Sequence, residues 1–231
     1  RELTPEVMAK PAHLFTIAPA RGFYRLAGFV DWNGNGIYRG ENPPEGAILY
    51  YYLNSSAAKQ ITLEIRDEHG VVVRSFSNEP AMTERRPKNV PEYWFAPAEV
   101  LTTKAGLNRF AWNLEWPHPD MLTYNFRGRH IDYIEYTLPD HAIAGKTPIN
   151  QPPGPLAVPG NYEIVLTVDG KTYRQPLVVT LDPRVQVAPG DLEAQLDLAR
   201  MIDDWMNISY RSYNEVGALR ATLGVIRKNA S

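Results

Sequence analysis

Strict alternation of apolar and polar residues predicts β-structure in the middle of this chain. In QITLEIRD (60–67), the apolar Ile61, Leu63 and Ile65 alternate with polar residues. This period of two is typical of a half-buried strand. The turn sequence DEHG follows, and VVVRSFS (71–77) then runs back. The spacing predicts that the two segments form a β-hairpin.

A second hairpin is predicted nearer the C-terminus. NYEIVLTVDGKTYRQPLVVTLDP (161–183) carries Asp169 and Gly170 between two alternating runs. An Asp-Gly pair in that position is a strong short-range signal for a tight hairpin turn. The side chains expected to point inward are Tyr162, Ile164, Leu166 and Val168, followed on the return strand by Leu177, Val179 and Leu181.

Two more segments have strand character. AILYYYLN (47–54) is rich in aromatic residues, and GLNRFAWNLEW (106–116) alternates so that Phe110, Trp112 and Leu114 face one side. Together with the hairpins, they bring the total to about six or seven short strands joined by turns, which predicts a mainly β, antiparallel β-sandwich.

The predicted sandwich occupies residues 41–184 and contains two long polar excursions, 78–104 and 117–159. Residues 1–40 are interpreted as an N-terminal arm or linker. Its first twenty residues contain three Pro and no sustained period, and GFYRLAGFVDW (22–32) is a candidate edge strand.

After the β-rich part, the chain changes to a helical period over 189–229. Asp191 is the expected N-cap, and Gly217 is the place where the helix would bend or break. An unbroken helix from Asp191 to Arg227 would measure roughly 55 Å and would need a partner to bury its apolar stripe. The stripe consists of Leu192, Leu196, Ala199, Ile202, Met206, Tyr213, Val216, Leu223 and Ile226.

Three stretches carry a family resemblance: GENPPEGAILYYYL, AGLNRFAWNLEW and GPLAVPGNYEIVLTVDGKTYRQPLVVTLDPR. Together they resemble the C-terminal immunoglobulin-like region of exported bacterial sortilin/sialidase-like propeller-repeat proteins, often labelled glycosyl hydrolases. The last hairpin also resembles the immunoglobulin-like module of flagellar hook-capping proteins. The resemblance covers 40–184 and implies an immunoglobulin-like or fibronectin-like sandwich. It also implies a catalytic propeller outside this sequence, so it assigns no catalytic residue.

Composition narrows the range of chemistry. The chain contains no Cys, which excludes disulfides, thiolate metal sites and a cysteine nucleophile. A net charge of −2 lacks the basic excess expected of a nucleic-acid partner or an anionic membrane surface. No phosphate loop, nucleophile elbow or dinucleotide fingerprint is present. Because the chain begins with Arg1 rather than Met, a processed product or excised fragment is expected.

The stretch DWNGNGIYRGENPPEG (31–46) partly fits a calcium-binding loop. Such a loop takes oxygen ligands at positions one, three and five, Gly at six and Glu at twelve. Here the Glu is one residue early, and no helical pattern flanks the loop. The alternative is a turn in which Asn and Gly supply left-handed backbone conformations. The candidate ligands for a structural calcium ion are Asp31, Asn33, Asn35 and Glu41.

The second polar excursion, together with Trp116 just before it, holds the other candidate site residues. Its His and carboxylate side chains suit a divalent metal, and its aromatic side chains suit stacking on a sugar or peptide. The alternatives are an ordinary surface loop and aromatic residues that cover the sandwich or a neighbouring domain. The candidate binding residues are Trp116, His118, Tyr124, Phe126, His130, Tyr133 and Tyr136.

These observations predict a non-catalytic accessory module that docks or recognises a partner within a larger exported protein. The expected partner is the N-terminal propeller of the same protein or a second copy bound through the helix, with a glycan or peptide as further ligand. One alternative is part of a glycan or peptide hydrolase whose catalytic propeller is outside this chain. Another is an oligomerisation module. Export to the periplasm or the extracellular space rests on the resemblance.

Overall fold

The protein is mostly β, with two sheets followed by one long C-terminal helix. The computed structural model describes residues 2–22, 46–56, 60–79, 100–119 and 154–229. The chain divides into two compact units. The β-rich unit comprises Arg1–Arg85, Pro97–Trp116 and Leu156–Pro189, and the helical unit comprises Arg86–Ala96, Pro117–Pro155 and Gly190–Ser231.

The described elements follow one another in a simple order along the chain. They are α1 (Pro5–Met8), β1 (Ala12–Leu14), β2 (Ala20–Gly22), β3 (Ala47–Leu53), β4 (Ile61–Arg66), β5 (Val72–Ser77), β6 (Gly106–Trp112), β7 (Gly160–Val168), β8 (Lys171–Leu181) and α2 (Pro189–Asn229).

The larger sheet has the strand order β2-β8-β7-β4-β5. Both predicted hairpins are confirmed in it, since β4 pairs with β5 and β7 with β8 in antiparallel fashion. Asp169 takes a left-handed conformation at φ 48°, as the tight turn requires. Because β4 also pairs with β7, the two hairpins form one continuous surface.

The smaller sheet has the order β1-β3-β6, with every pair antiparallel. Its outer strand β1 comes from the N-terminal segment. The next strand, β2, belongs instead to the larger sheet, where Ala20 pairs in parallel with Val179. The N-terminal segment therefore passes from one sheet to the other and supplies an edge strand to each.

Two predictions about this part of the chain were wrong. Residues 1–20 are not irregular, because backbone pairing with β3 and β8 holds two short segments in strand conformation despite their weak local pattern. The β-structure is also not wholly antiparallel, because β2 runs parallel to β8. The described residues contain eight strands rather than six or seven. The candidate strand 22–32 lies almost wholly outside the described residues.

Both sheets contribute side chains to one apolar core. The alternating residues predicted to face inward are buried on β4, β6 and β7, including Leu63, Trp112 and Ile164, each 0% exposed. Leu177 and Val179 of β8 are buried as well. Leu181, at the end of β8, is only half-buried.

The C-terminal helix α2 is continuous over 41 residues. Gly217 does not break it. The helix begins at Pro189, two residues before the expected N-cap Asp191, and Pro is suited to the first helical turn. Asp191 therefore lies inside the first turn rather than at the N-cap. In the first turn, its negative charge complements the helix dipole.

Candidate functional site

Trp116 is the only predicted binding aromatic among the described residues, and it belongs to the β-rich unit. Its side chain is half-buried and packs against the apolar core. Its carbonyl oxygen accepts a 2.6 Å hydrogen bond from Arg74, whose guanidinium lies 5.4 Å from the ring centroid of Phe76. In this position Trp116 covers the core. This matches the alternative in which the aromatic residues cover the sandwich and do not stack on a ligand.

His118 is the second predicted residue that the structure describes. It is exposed, and its Nδ1 lies 3.3 Å from the carbonyl oxygen of Pro119. It also lies within electrostatic range of Asp203 on α2. Burial, and then the charge of Asp204, raises the pKa of Asp203, while His118 acts in the opposite direction. Trp116 and His118 fall in different units.

The remaining candidate residues stay predictions. Tyr124, Phe126, His130, Tyr133 and Tyr136 lie outside the described residues, as do the four calcium candidates Asp31, Asn33, Asn35 and Glu41. Within the described ranges, no three His, Asp or Glu side chains come together as a metal-binding group.

A small open cavity of about 170 Å³ lies in the β-rich unit. It is smaller than the range of about 300–1,000 Å³ usual for organic ligands. Four of its lining residues are polar, and neither Trp116 nor His118, the two described site candidates, lines it. The lining consists of Pro11, Ala12, Leu53, Ser55, Val168, Asp169, Lys171 and Tyr173.

Buried tyrosines in the same unit have structural roles. The hydroxyl groups of Tyr51 and Tyr162 donate 2.6 Å hydrogen bonds to the carbonyl oxygens of Thr102 and Val158, respectively. Burial raises the pKa of both phenols to about 12. Each phenol stays protonated at neutral pH and ties a strand to a loop through its hydrogen bond.

An ion pair closes the end of β8. Asp182 is buried and accepts hydrogen bonds from the backbone amide and from Nε of Arg184, at 2.9 and 3.0 Å. The Arg184 guanidinium holds the pKa of the Asp182 carboxyl far below its usual range. Asp182 and Arg184 are only two positions apart in the chain, and their ion pair stabilises the local turn that follows β8.

The largest group of exposed apolar side chains in the described residues lies on α2. Tyr210 is the only large apolar residue of the helix that is buried. Along one side lie apolar residues between 43% (Ile202) and 63% (Leu219) exposed. We call this side the heptad face. It consists of Leu198, Ile202, Trp205, Val216, Leu219, Leu223 and Ile226, with Ser209 and Ser212 in its middle.

The sequence pattern identified only part of this surface. Ile202, Val216, Leu223 and Ile226 belonged to the predicted stripe, whereas Leu198, Trp205 and Leu219 were missed. The predicted members Leu192, Leu196 and Ala199 are half-buried instead. No spacing in the sequence separates the two sides, because a step of seven residues relates the half-buried Leu192 and Ala199 as well as the exposed Leu198 and Trp205.

Scattered single apolar residues are normal on protein surfaces, but a contiguous apolar surface marks an interaction site. The heptad face extends over about 42 Å at 1.5 Å per residue. Among the described helices, none has the length and apolar composition that crossing a bilayer would demand. The contiguous apolar surface marks α2 as a candidate interaction site.

Comparisons with protein-family models, with curated proteins and with solved structures found no match to this chain.

Proposed function

We propose that this chain is a non-catalytic docking module of a larger exported protein, in which an immunoglobulin-like sandwich carries a helix that binds another polypeptide. The observation that supports docking most strongly is the exposed heptad face of α2, with Leu219 and Leu223 each 63% exposed. Leaving seven large apolar side chains in water is unfavourable, and a partner that covers them would remove that cost.

Strand order supports the immunoglobulin-like topology. In such sandwiches, strands C, F and G are neighbours in one sheet and strands B and E in the other. Here β4, β7 and β8 are neighbours in the larger sheet, and β3 and β6 pair in the smaller one. With β5 beside β4 as an additional strand, the chain order and the spatial order agree with that scheme.

Tyr162 supports the same topology. Many immunoglobulin domains have a tyrosine corner, in which a Tyr near the start of strand F donates a hydrogen bond to the backbone a few residues upstream. Tyr162 is the third residue of β7, and its hydroxyl donates to the carbonyl oxygen of Val158, four residues earlier.

The larger exported protein is a proposal that rests on the sequence resemblance over 40–184. The mass of the polypeptide in its source cells, measured with an antibody against this chain, tests it directly. We expect a band far above 26.1 kDa. A band at that mass would remove the larger protein from the proposal. The purified chain should also show no hydrolysis of glycan or peptide panels.

Docking through α2 is tested by site-specific photo-crosslinking in cells that make the protein. A photoreactive residue replaces Leu219 on the heptad face, and a matched control replaces Asn214, which is exposed on the opposite side of the helix. We expect a discrete crosslinked product from position 219 and none from position 214. Equal labelling at both positions, or no product at either, would refute docking through this face.

A further inference from the structure

The partner of α2 can be identified from the pattern of its own residues. We propose that the heptad face binds the same face of a second copy of this chain, with the two helices antiparallel. This inference rests on the proposed docking function and specifies its partner.

The spacing of the heptad face is that of a two-stranded coiled coil. From Leu198 to Ile226, the face advances by alternating steps of four and three residues without a break. Such a 3.5-residue repeat keeps a narrow seam in contact with another helix over several turns. Apolar residues widen the seam on both sides, at Met201, Met206, Ile208 and Tyr213, which are exposed as well.

The charges of α2 determine the orientation. Residues 191–204 contain five carboxylates and one Arg, a net charge of −4, and residues 205–229 contain four basic side chains and one Glu, a net charge of +3. Two parallel copies would align like charges, whereas two antiparallel copies align each acidic half with a basic half. Complementary charge favours the antiparallel encounter and fixes its direction.

The helix dipole does not by itself account for this distribution. Its influence on side chains falls off within the first and last turns. Asp203 and Asp204 lie four turns into the helix, and Arg211 lies near its middle. The charge asymmetry therefore extends beyond the reach of the helix dipole.

One antiparallel register matches the layers of the seam from Leu198 to Leu223. It places Leu198 opposite Leu223 of the second copy, Ile202 opposite Leu219, Trp205 opposite Val216 and Ser209 opposite Ser212. Between Leu198 and Leu223, apolar side chains then meet only apolar ones, and the four small serines meet at the centre, while Ile226 lies opposite Gln195. The same register sets the acidic residues 192–204 of one copy level with the basic residues 217–229 of the other.

The absence of Cys from the natural sequence permits a direct test of orientation. Leu198→Cys and Leu223→Cys variants of the full chain, one carrying a tag that changes its mass, are oxidised separately and as a mixture. We expect a disulfide-linked heterodimer in the mixture and no crosslink with either variant alone. In the antiparallel pair, the two copies of residue 198 are separated by about 37 Å along the helix axis.

Asn214→Cys, on the opposite side of the helix, measures the background from random collision. Crosslinking of Leu198→Cys with itself would show parallel helices, and crosslinking no higher than that background in every sample would exclude the paired seam. Either result overturns the proposal.

Light scattering supplies an independent measurement. Leu219→Glu should raise the dimer dissociation constant at least tenfold, because each Glu would face Ile202 of the other copy, while Asn214→Glu should leave the constant unchanged. Added salt should weaken the wild-type dimer. Circular dichroism checks that the helix content of both variants is retained.

Failure of this inference can be distinguished from failure of the docking function. If the purified chain is a monomer while the photo-crosslinker at position 219 captures a different polypeptide, docking stands and the second copy is wrong. If neither association occurs, both proposals fail.

Discussion

The indole ring of Trp112 meets the phenol ring of Tyr162 edge-on, with ring centroids 5.7 Å apart. Trp112 lies on β6 and Tyr162 on β7, so this contact joins the two sheets. Each side chain also donates a hydrogen bond to the backbone. The Trp112 indole donates to the carbonyl oxygen of Glu115, and the Tyr162 hydroxyl donates to the carbonyl oxygen of Val158. The pair therefore links inter-sheet packing to the loop that follows β6 and to the loop that precedes β7.

Replacing Trp112 with Ala should lower the free energy of unfolding by about 3–5 kcal/mol, because it removes a fully buried ring and leaves a cavity. Urea unfolding followed by circular dichroism measures the loss. The matched control is Leu107→Ala on the same strand, where the side chain is 57% exposed and the change should stay within about 0.5 kcal/mol. Equal effects at the two positions would contradict the placement of Trp112.

Gly46 should tolerate no side chain. Its φ is +84°, and a Cβ atom there would lie 2.0 Å from the carbonyl oxygen of Trp112. Gly70 provides the control, since its φ is +79° with nothing within 4 Å of the Cβ position. Gly70→Ala should cost about 1–2 kcal/mol from backbone strain alone. Gly46→Ala should cost clearly more, because the clash adds to the strain. If both variants lost the same resistance to urea, the close approach of Gly46 to the Trp112 carbonyl would be refuted.

Stability should fall at alkaline pH because of two buried phenols. Burial raises the pKa of Tyr51 and Tyr162 to about 12 in the native state, above the value of about 10 in an unfolded chain. The native state therefore binds more protons in this interval, and the free energy of unfolding decreases as the pH rises through it.

The double variant Tyr51→Phe/Tyr162→Phe tests this origin of the alkaline decrease. It should be less stable at neutral pH, by about 1 kcal/mol for each lost hydrogen bond, but its stability should change less between pH 10 and pH 12. Tyr50→Phe removes an exposed phenol from the same strand as Tyr51 and should leave the wild-type pH profile intact. An alkaline decrease of unchanged size in the double variant would assign it to other groups.

Acid should weaken the turn after β8. The Arg184 partner lowers the pKa of Asp182 far below its usual value, so the unfolded state binds more protons as the pH falls. The stability contribution is complete above the unfolded pKa of about 3.9 and is lost as the pH falls toward the native value. Asp182→Asn should flatten this acid limb in thermal melts, whereas Asp197→Asn, which removes an exposed helix carboxyl, should preserve it.

Local pattern was sufficient for the two hairpins and for the inward face of three strands. Alternation over Ile61, Leu63 and Ile65 predicts burial on one side only, and all three are 0% exposed. The Asp169-Gly170 pair predicts the turn because its residues tolerate positive φ. These features depend on near neighbours in the chain, so a single sequence carries enough information to predict them.

Pattern was insufficient where pairing partners are distant in the chain. Residues 12–14 and 20–22 have no strong strand signal, and they become strands because β3 and β8 offer unpaired edges. The hydrogen bond from Gln175 to the carbonyl oxygen of Leu14 spans 161 positions. Contacts of this separation are decided by the assembled sheets, so neither the arm's two strands nor the parallel pair was predicted.

The helix shows the same division between local and tertiary information. Its length, its apolar spacing and the reversal of charge along it are properties of the sequence from Pro189 to Asn229. Which side of the helix would be covered is not a property of the sequence, because an apolar stripe has the same spacing whether it is buried or exposed. Tertiary structure leaves Leu192, Leu196 and Ala199 half-buried and leaves Leu219 in solvent. Periodicity specifies which residues share a face, whereas burial depends on what the rest of the molecule places against that face.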